Sequence, residues 1–259
     1  MKLCESVNPI EVYGGRNVET MPKLLADGRV PMSASQLMKY RIAESDKLPD
    51  WKNSYFDTSD LIAYSAKGDG KVKFILTVGK DGKITDKGRK ALELINPNSK
   101  RSSGAIELGD QYRILDGIEV PIGNLGRTGD YLTQNEILGN KAWRILARHP
   151  DEVPKEFAED SNLLKEYSTW VVNQTKSDKN MGVYVDSLDA SPKLRAWYVY
   201  RLGLRSNANG RDYLDDDYGR LVGLAPEAHV PKIVKPTLEQ ALTIVNEDLL
   251  KGGFRIEKK

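Results

Sequence analysis

One cysteine in 259 residues, Cys4, leaves this chain without any intrachain disulfide. Everything that orders it must come from apolar burial, hydrogen bonding and charge pairing. The composition suffices for that. Hydrophobic residues make up 39% and charged residues 29%, a mixture that folds around a core rather than staying disordered. The length accommodates one large domain or two ordinary ones.

Histidine is nearly as scarce, with His149 and His229 the two present. A structural zinc site takes about four Cys/His ligands and a catalytic one about three. The available residues are far apart in sequence, and no G-x-S-x-G, H-E-x-x-H, G-x-x-x-x-G-K-[ST] or G-x-G-x-x-G string occurs. His149 stands before Pro150 at an expected helix end, where a cation suits the dipole. His229, in APEAHVPK, has no identifiable partner. The formal charge of +2 demands no polyanionic ligand. The opening MKLCESVNPIEVYGG has no apolar secretory core, and no run approaches the roughly 20 apolar residues of a bilayer span. These features imply a cytoplasmic protein with no membrane partner.

The pattern predicts an α+β fold with a strand-rich N-terminal half, including a β-hairpin, and a predominantly helical C-terminal half. The boundary falls between a mixed, strand-rich region over 1–125 and a mainly helical region over 126–259; one continuous domain is the alternative. In the first half, Ser33 and Gln36 form a capping box for a helix to about Glu44, with Met32 and Leu37 as its staple. Leu61–Tyr64 and Val72–Val78 flank Asp69-Gly70 as a hairpin. A helix follows over TDKGRKALELINP, then strands at Tyr112–Leu115 and Ile118–Val120. In the second half, Thr133 and Glu136 cap a helix ending at His149-Pro150, Ser161 starts another, and Met181–Val185 is a short apolar run. Ser191-Pro192 opens a helix through the arginines that follow. A last helix runs from Thr237 to Gly252-Gly253.

Four stretches carry candidate chemistry. Strand, glycine loop, helix is the order around GNLGRTGD. There Gly126 and Gly129 permit close backbone approach to a phosphate and Arg127 can pair an anion, although an ordinary surface turn explains the same residues. Lys193–Arg220 interleaves arginines with Trp197, Tyr198, Tyr200, Tyr213 and Tyr218, as single-stranded nucleic acid would require. On the expected helix Arg201 and Arg205 share one stripe, and pairing with Asp215–Asp217 is the alternative to a ligand. The run Asp212, Asp215, Asp216, Asp217 can hold Mg²⁺ or Mn²⁺ through carboxylate oxygens, or simply form a solvated turn. Asp57 and Asp60 read as a cap or turn.

The fourth stretch, LTVGKDGKITDKGRKALEL, holds Lys83 and follows Lys71 and Lys73. A hairpin followed by T-D-K-G-R-x-x-L locally resembles the wing and succeeding helix of winged helix-turn-helix proteins, a resemblance that implies DNA binding. Lysines that protect an edge strand are the alternative. Taken together, the residues favour a non-enzymatic binder of nucleic acid or another phosphate-bearing ligand, with no cofactor. The alternatives are a metal-dependent phosphodiesterase or nuclease using the clustered aspartates, and a protein–protein interaction module.

Overall fold

The computed structural model describes residues 9–44, 50–202 and 206–226. In chain order the first half contains β1 (Ile10–Gly14), α1 (Asn17–Ala26), β2 (Val30–Pro31), α2 (Ala34–Glu44), α3 (Asp50–Asn53), β3 (Phe56–Tyr64), β4 (Lys71–Ile75) and α4 (Asp86–Leu92). There follow β5 (Arg101–Ser102), β6 (Ala105–Glu107), α5 (Gln111–Ile114), β7 (Ile118–Pro121) and a 3-10 turn, Ile122–Leu125. The second half contains β8 (Tyr131–Leu132), α6 (Gln134–Gly139), α7 (Lys141–Leu146), α8 (Leu163–Thr175), β9 (Met181–Tyr184), β10 (Lys193–Val199), β11 (Ala208–Asn209) and β12 (Arg220–Leu224).

All these strands join one mixed sheet whose main path runs β1-β12-β3-β10-β11-β9-β8. Its centre is β3, which pairs antiparallel with β4 and β10 and parallel with β12. Every residue of β3 is buried, because helices cover both faces of the sheet. The period of two then sorts its side chains. Ile62 and Tyr64 join Trp197, Trp143 and Tyr167 in the larger core under α2, α7 and α8. Leu61 and Ala63 join Leu194, Ala196 and Leu221 in the smaller core under α1 and α4.

Strands thus occur throughout the chain, and the expected helical C-terminal half is corrected: β9 to β12 all lie beyond residue 125. The largest change is at 193–199, where a strand replaces the expected helix. KLRAWYV alternates, with Leu194 and Ala196 in one core and Trp197 and Val199 in the other. That alternation, with aromatic and β-branched residues between two strand partners, overrides helical spacing. Arg201 consequently lies beyond the strand end rather than on a helical stripe, and Arg205 lies outside the described residues. A second correction is Tyr112–Leu115, expected as a strand: Tyr112–Ile114 lie in the short helix α5 and Leu115 follows it as its C-cap. Its carbonyls at Tyr112 and Leu115 accept from the Lys73 ammonium at 3.0 and 3.1 Å, a cap supplied from the neighbouring strand β4.

The local capping signals fared better. Thr133 and Glu136 form a complete capping box on α6, and Ser33 and Gln36 make both reciprocal bonds at α2. The helix expected after Thr133 is divided by Asn140, whose extended backbone ends α6 and whose side chain caps α7. Asp69-Gly70 turns the chain from β3 to β4. Among the described residues no helix is long and apolar enough to cross a membrane. Cys4, His229 and the helix expected from Thr237 lie outside the described residues.

Candidate functional site: a tyrosine-lined cleft

The strand register of β10 builds the site. A bulge between Ala196 and Tyr198 shifts the pairing with β3, so that Tyr198 stands opposite Asp57 and Val199 opposite Phe56. Bulges re-aim side chains in this way next to functional surfaces. On the other side Tyr198 pairs with Asn209 of β11, whose amide donates to the Tyr198 hydroxyl at 2.6 Å. Tyr55, just before β3, packs edge-on to Tyr198 with centroids 5.9 Å apart and parallel to Tyr200 at 6.4 Å. These rings, with Asn209, Arg211, Asp212, Tyr213 and Asp216, line a cavity of about 290 Å³.

The segment 211–219 forms one wall without regular structure, and main-chain bonds seat it. Leu214 N–H donates to the Gly104 carbonyl and Val18 N–H to the Leu214 carbonyl, at 2.8 and 3.0 Å. Gly15 N–H donates to the Gly219 carbonyl at 2.9 Å. Gly219 is required there, because a Cβ would lie 2.4 Å from the Gly15 carbonyl oxygen. The buried Arg195 guanidinium donates to the carbonyls of Asp212 and Ser103, both at 2.8 Å, and pairs with Asp186 at 2.9 Å. It also lies over the Tyr213 ring, 5.1 Å from the centroid.

Beneath the cleft lie two buried acids. Asp57 Oδ2 accepts from Arg220 N–H at 2.6 Å, and Asp212 Oδ2 accepts from the Asn17 amide at 2.8 Å. Burial pushes the Asp57 carboxyl up to about 6, and the Asp216 charge adds to this. Burial, then the charge of Asp57, pushes Asp212 well above the usual aspartate range. The Tyr55 hydroxyl is pushed up to about 12 by burial and by the Asp57 charge. It donates to the carbonyl of Tyr218.

The clustered aspartates diverge. Asp212 is buried with Asn17, Asp217 pairs with Arg16 at 2.7 Å, Asp215 lies 4.0 Å from Arg101, and Asp216 accepts from Tyr218 N–H while lining the cleft. Among the described residues no three His, Cys, Asp or Glu side chains converge as a metal site. The partners of Asp215 and Asp217 are therefore Arg101 and Arg16; Arg201 instead stacks over Tyr200 at 5.7 Å. Lys71 and Lys73 both approach Glu119, at 3.5 and 3.6 Å, and Lys73 is buried. Lys83 lies in the turn after β4, where its backbone N–H bonds to Asp81.

Gly126 and Gly129 adopt φ of +84° and +89°, as their loop requires, and Arg127 is exposed. Gly129 N–H is already engaged by the Val183 carbonyl at 3.2 Å. No residue of 123–130 lines the tyrosine cleft. The sequence signal that did reach the cleft was the interleaving of Tyr198, Tyr200 and Tyr213 with arginines. Tyr55, Asn209, Asn17 and Gly219 carried no local signal, since strand register and a long-range contact bring them in.

No protein-family model matches the sequence, and neither does any curated protein. A solved structure described as the accommodation of massive sequence variation in Nanoarchaeota by the C-type lectin fold is similar to this chain, with a TM-score of 0.56 at 15% identity. The match covers 83% of this chain and 96% of that one. The architecture is accordingly a mixed α+β, C-type lectin-like fold.

Proposed function

We propose that this protein is a non-enzymatic recognition module that binds the surface of a protein partner through the tyrosine cleft and the 211–218 rim. The cleft itself carries this reading. Several tyrosines converge on one open hollow with Asn209, Arg211 and Asp216 among them. Tyrosine supplies large, rigid contact area at low entropic cost, while Asn, Arg and Asp supply directional bonds, the composition of a paratope. Tyr213 and Tyr218 extend the surface, 53% and 77% exposed. The similar solved structure adds support, since its description has the C-type lectin fold accommodating massive sequence variation.

A carbohydrate ligand is the second reading, favoured by the near-parallel Tyr55 and Tyr200 rings. Nucleic acid has less behind it, because Lys71 and Lys73 lie against Glu119 rather than along an open track. A protein array and a glycan array, probed with wild type, Tyr200→Ala and Arg211→Ala, test the proposal. A protein ligand whose binding drops at least about tenfold in both variants, with unchanged unfolding midpoints, supports it. Glycan hits with the same loss favour the second reading. Binding indifferent to both substitutions removes the cleft from consideration.

A further inference from the structure

We propose that Asp57 and Asp212 share one proton at the floor of the cleft, and that this proton seats the 211–219 segment, so that the cleft loosens as the pH rises. The inference rests on the cleft being the ligand seat, whose assembly it would regulate.

Two elements deliver the acids to one place. Asp57 comes from the start of β3, opposite Tyr198, and Asp212 from the irregular segment between β11 and β12. They are 1% and 9% exposed. Asn17 and Asp212 lie against the Asp57 carboxyl. Its Oδ2 accepts from Arg220 N–H, but the buried Oδ1 has no hydrogen-bond partner among the described residues. Adjacent carboxylates in a poorly solvated site do not both ionise readily. A proton on one of them supplies the donor that the other lacks and removes one of the two charges.

Among the described residues, the Arg195 charge offsets a second negative charge at Asp212 only in part. From α1 comes the neutral Asn17 amide. The Arg195 guanidinium, on β10, is directed to the Asp212 and Ser103 carbonyls and to Asp186. The Arg220 side chain, on β12, donates to the Ser54 hydroxyl and lies over the Phe56 ring. The Tyr55 and Tyr198 phenols stay protonated near neutrality, each pushed up first by burial and then by these aspartates. Asp216, from the segment itself, adds a further negative charge. The raised affinity of both acids for protons agrees with the geometry. When the shared proton leaves, Asp57 is fixed in the central strand. The side free to yield is Asp212, and with it the cleft wall.

The test uses carboxyl-¹³C NMR of Asp57 and Asp212 and amide hydrogen exchange over 211–219 in the free wild-type protein, from about pH 5 to about pH 8. We expect two linked titrations, both above the ordinary aspartate range. After correction for intrinsic exchange, the segment should lose protection by about tenfold or more across the second step. Asp57→Asn and Asp212→Asn should each abolish that step and let the remaining acid titrate lower. Two ordinary titrations near about pH 4, or protection that does not change with pH, overturn the proposal. Should a variant fail to fold, the wild-type titration decides alone. Because the protein is free of ligand, a cleft that binds nothing leaves the proton pair standing. Ordinary titration removes the pair whatever the cleft binds.

Discussion

Arg148 and Asp60 form an ion pair sealed from solvent: Nη2 lies 2.7 Å from Oδ1, and the side chains are 1% and 0% exposed. The pair joins the second residue after α7, held at φ +61°, to the central strand. The other Asp60 oxygen accepts from Ala34 N–H at 2.9 Å and so caps α2 from across the core. Arg148 also donates to the Val78 carbonyl at 3.4 Å and lies over Phe157.

Breaking this pair from one side should cost far more than replacing it whole. Arg148→Met strands a buried carboxylate, and a loss of about 3–5 kcal/mol is expected. Arg148→Met combined with Asp60→Asn should recover part of that loss, because no unpaired charge remains. Urea unfolding of the two proteins checks the difference. Equal destabilisation would mean that packing, not charge, sets the cost.

Thr133→Ala removes the side-chain acceptor of the α6 capping box. The expected cost is about 1 kcal/mol, with the spectrum of the folded protein otherwise retained. Thermal or urea unfolding measures it, and a variant as stable as wild type would show that the cap contributes nothing.

Stability should fall as the pH rises through the window set by Asp57. Its folded pKa is raised to about 6. Between the ordinary aspartate value, about 4, and the folded value, the native state holds a proton that the unfolded chain has released. Raising the pH therefore favours unfolding there and has little further effect from this group above the window. Asp57→Asn should flatten that part of the profile. Burial raises Asp60 as well, so the difference between the wild-type and variant curves is the quantity to measure.

Gly88 sits inside α4, where glycine is normally a liability. A Cβ at this position would lie 2.2 Å from the Thr77 carbonyl oxygen and 2.5 Å from the Thr77 Cα. Gly88→Ala should accordingly destabilise by about 1–3 kcal/mol, despite the better helix propensity of alanine. A stabilised variant in urea unfolding would contradict the close approach of α4 to Thr77.

Local features were legible in the sequence and long-range ones were not. Thr133 with Glu136 and Ser33 with Gln36 announce helix starts because cap and partner lie three residues apart. The Asp69-Gly70 turn is local in the same sense. The strand at 193–199 was hidden because its alternation is blurred where both faces are buried, leaving an apolar run with arginines that also fits a helix. Asp57 and Asp60 read as a cap or turn. Asp60 is indeed a cap, but for a helix 26 residues earlier in the chain. No spacing rule pairs Tyr55 with Tyr200, or Asn17 with Asp212; only the sheet order β12-β3-β10 does.

The seating of the 211–219 segment has an evolutionary consequence. Its anchors are largely carbonyls and N–H groups, at Asp212, Leu214 and Gly219, with Arg195 as a clamp from the strand behind. Arg211, Tyr213, Asp215, Asp216, Asp217 and Tyr218 meanwhile point their side chains outward. Main-chain atoms are the same whatever residue carries them. The surface that this segment presents can therefore be rewritten at those six positions while the sheet behind it stays as it is, so a change in that surface need not be gained at the expense of folding.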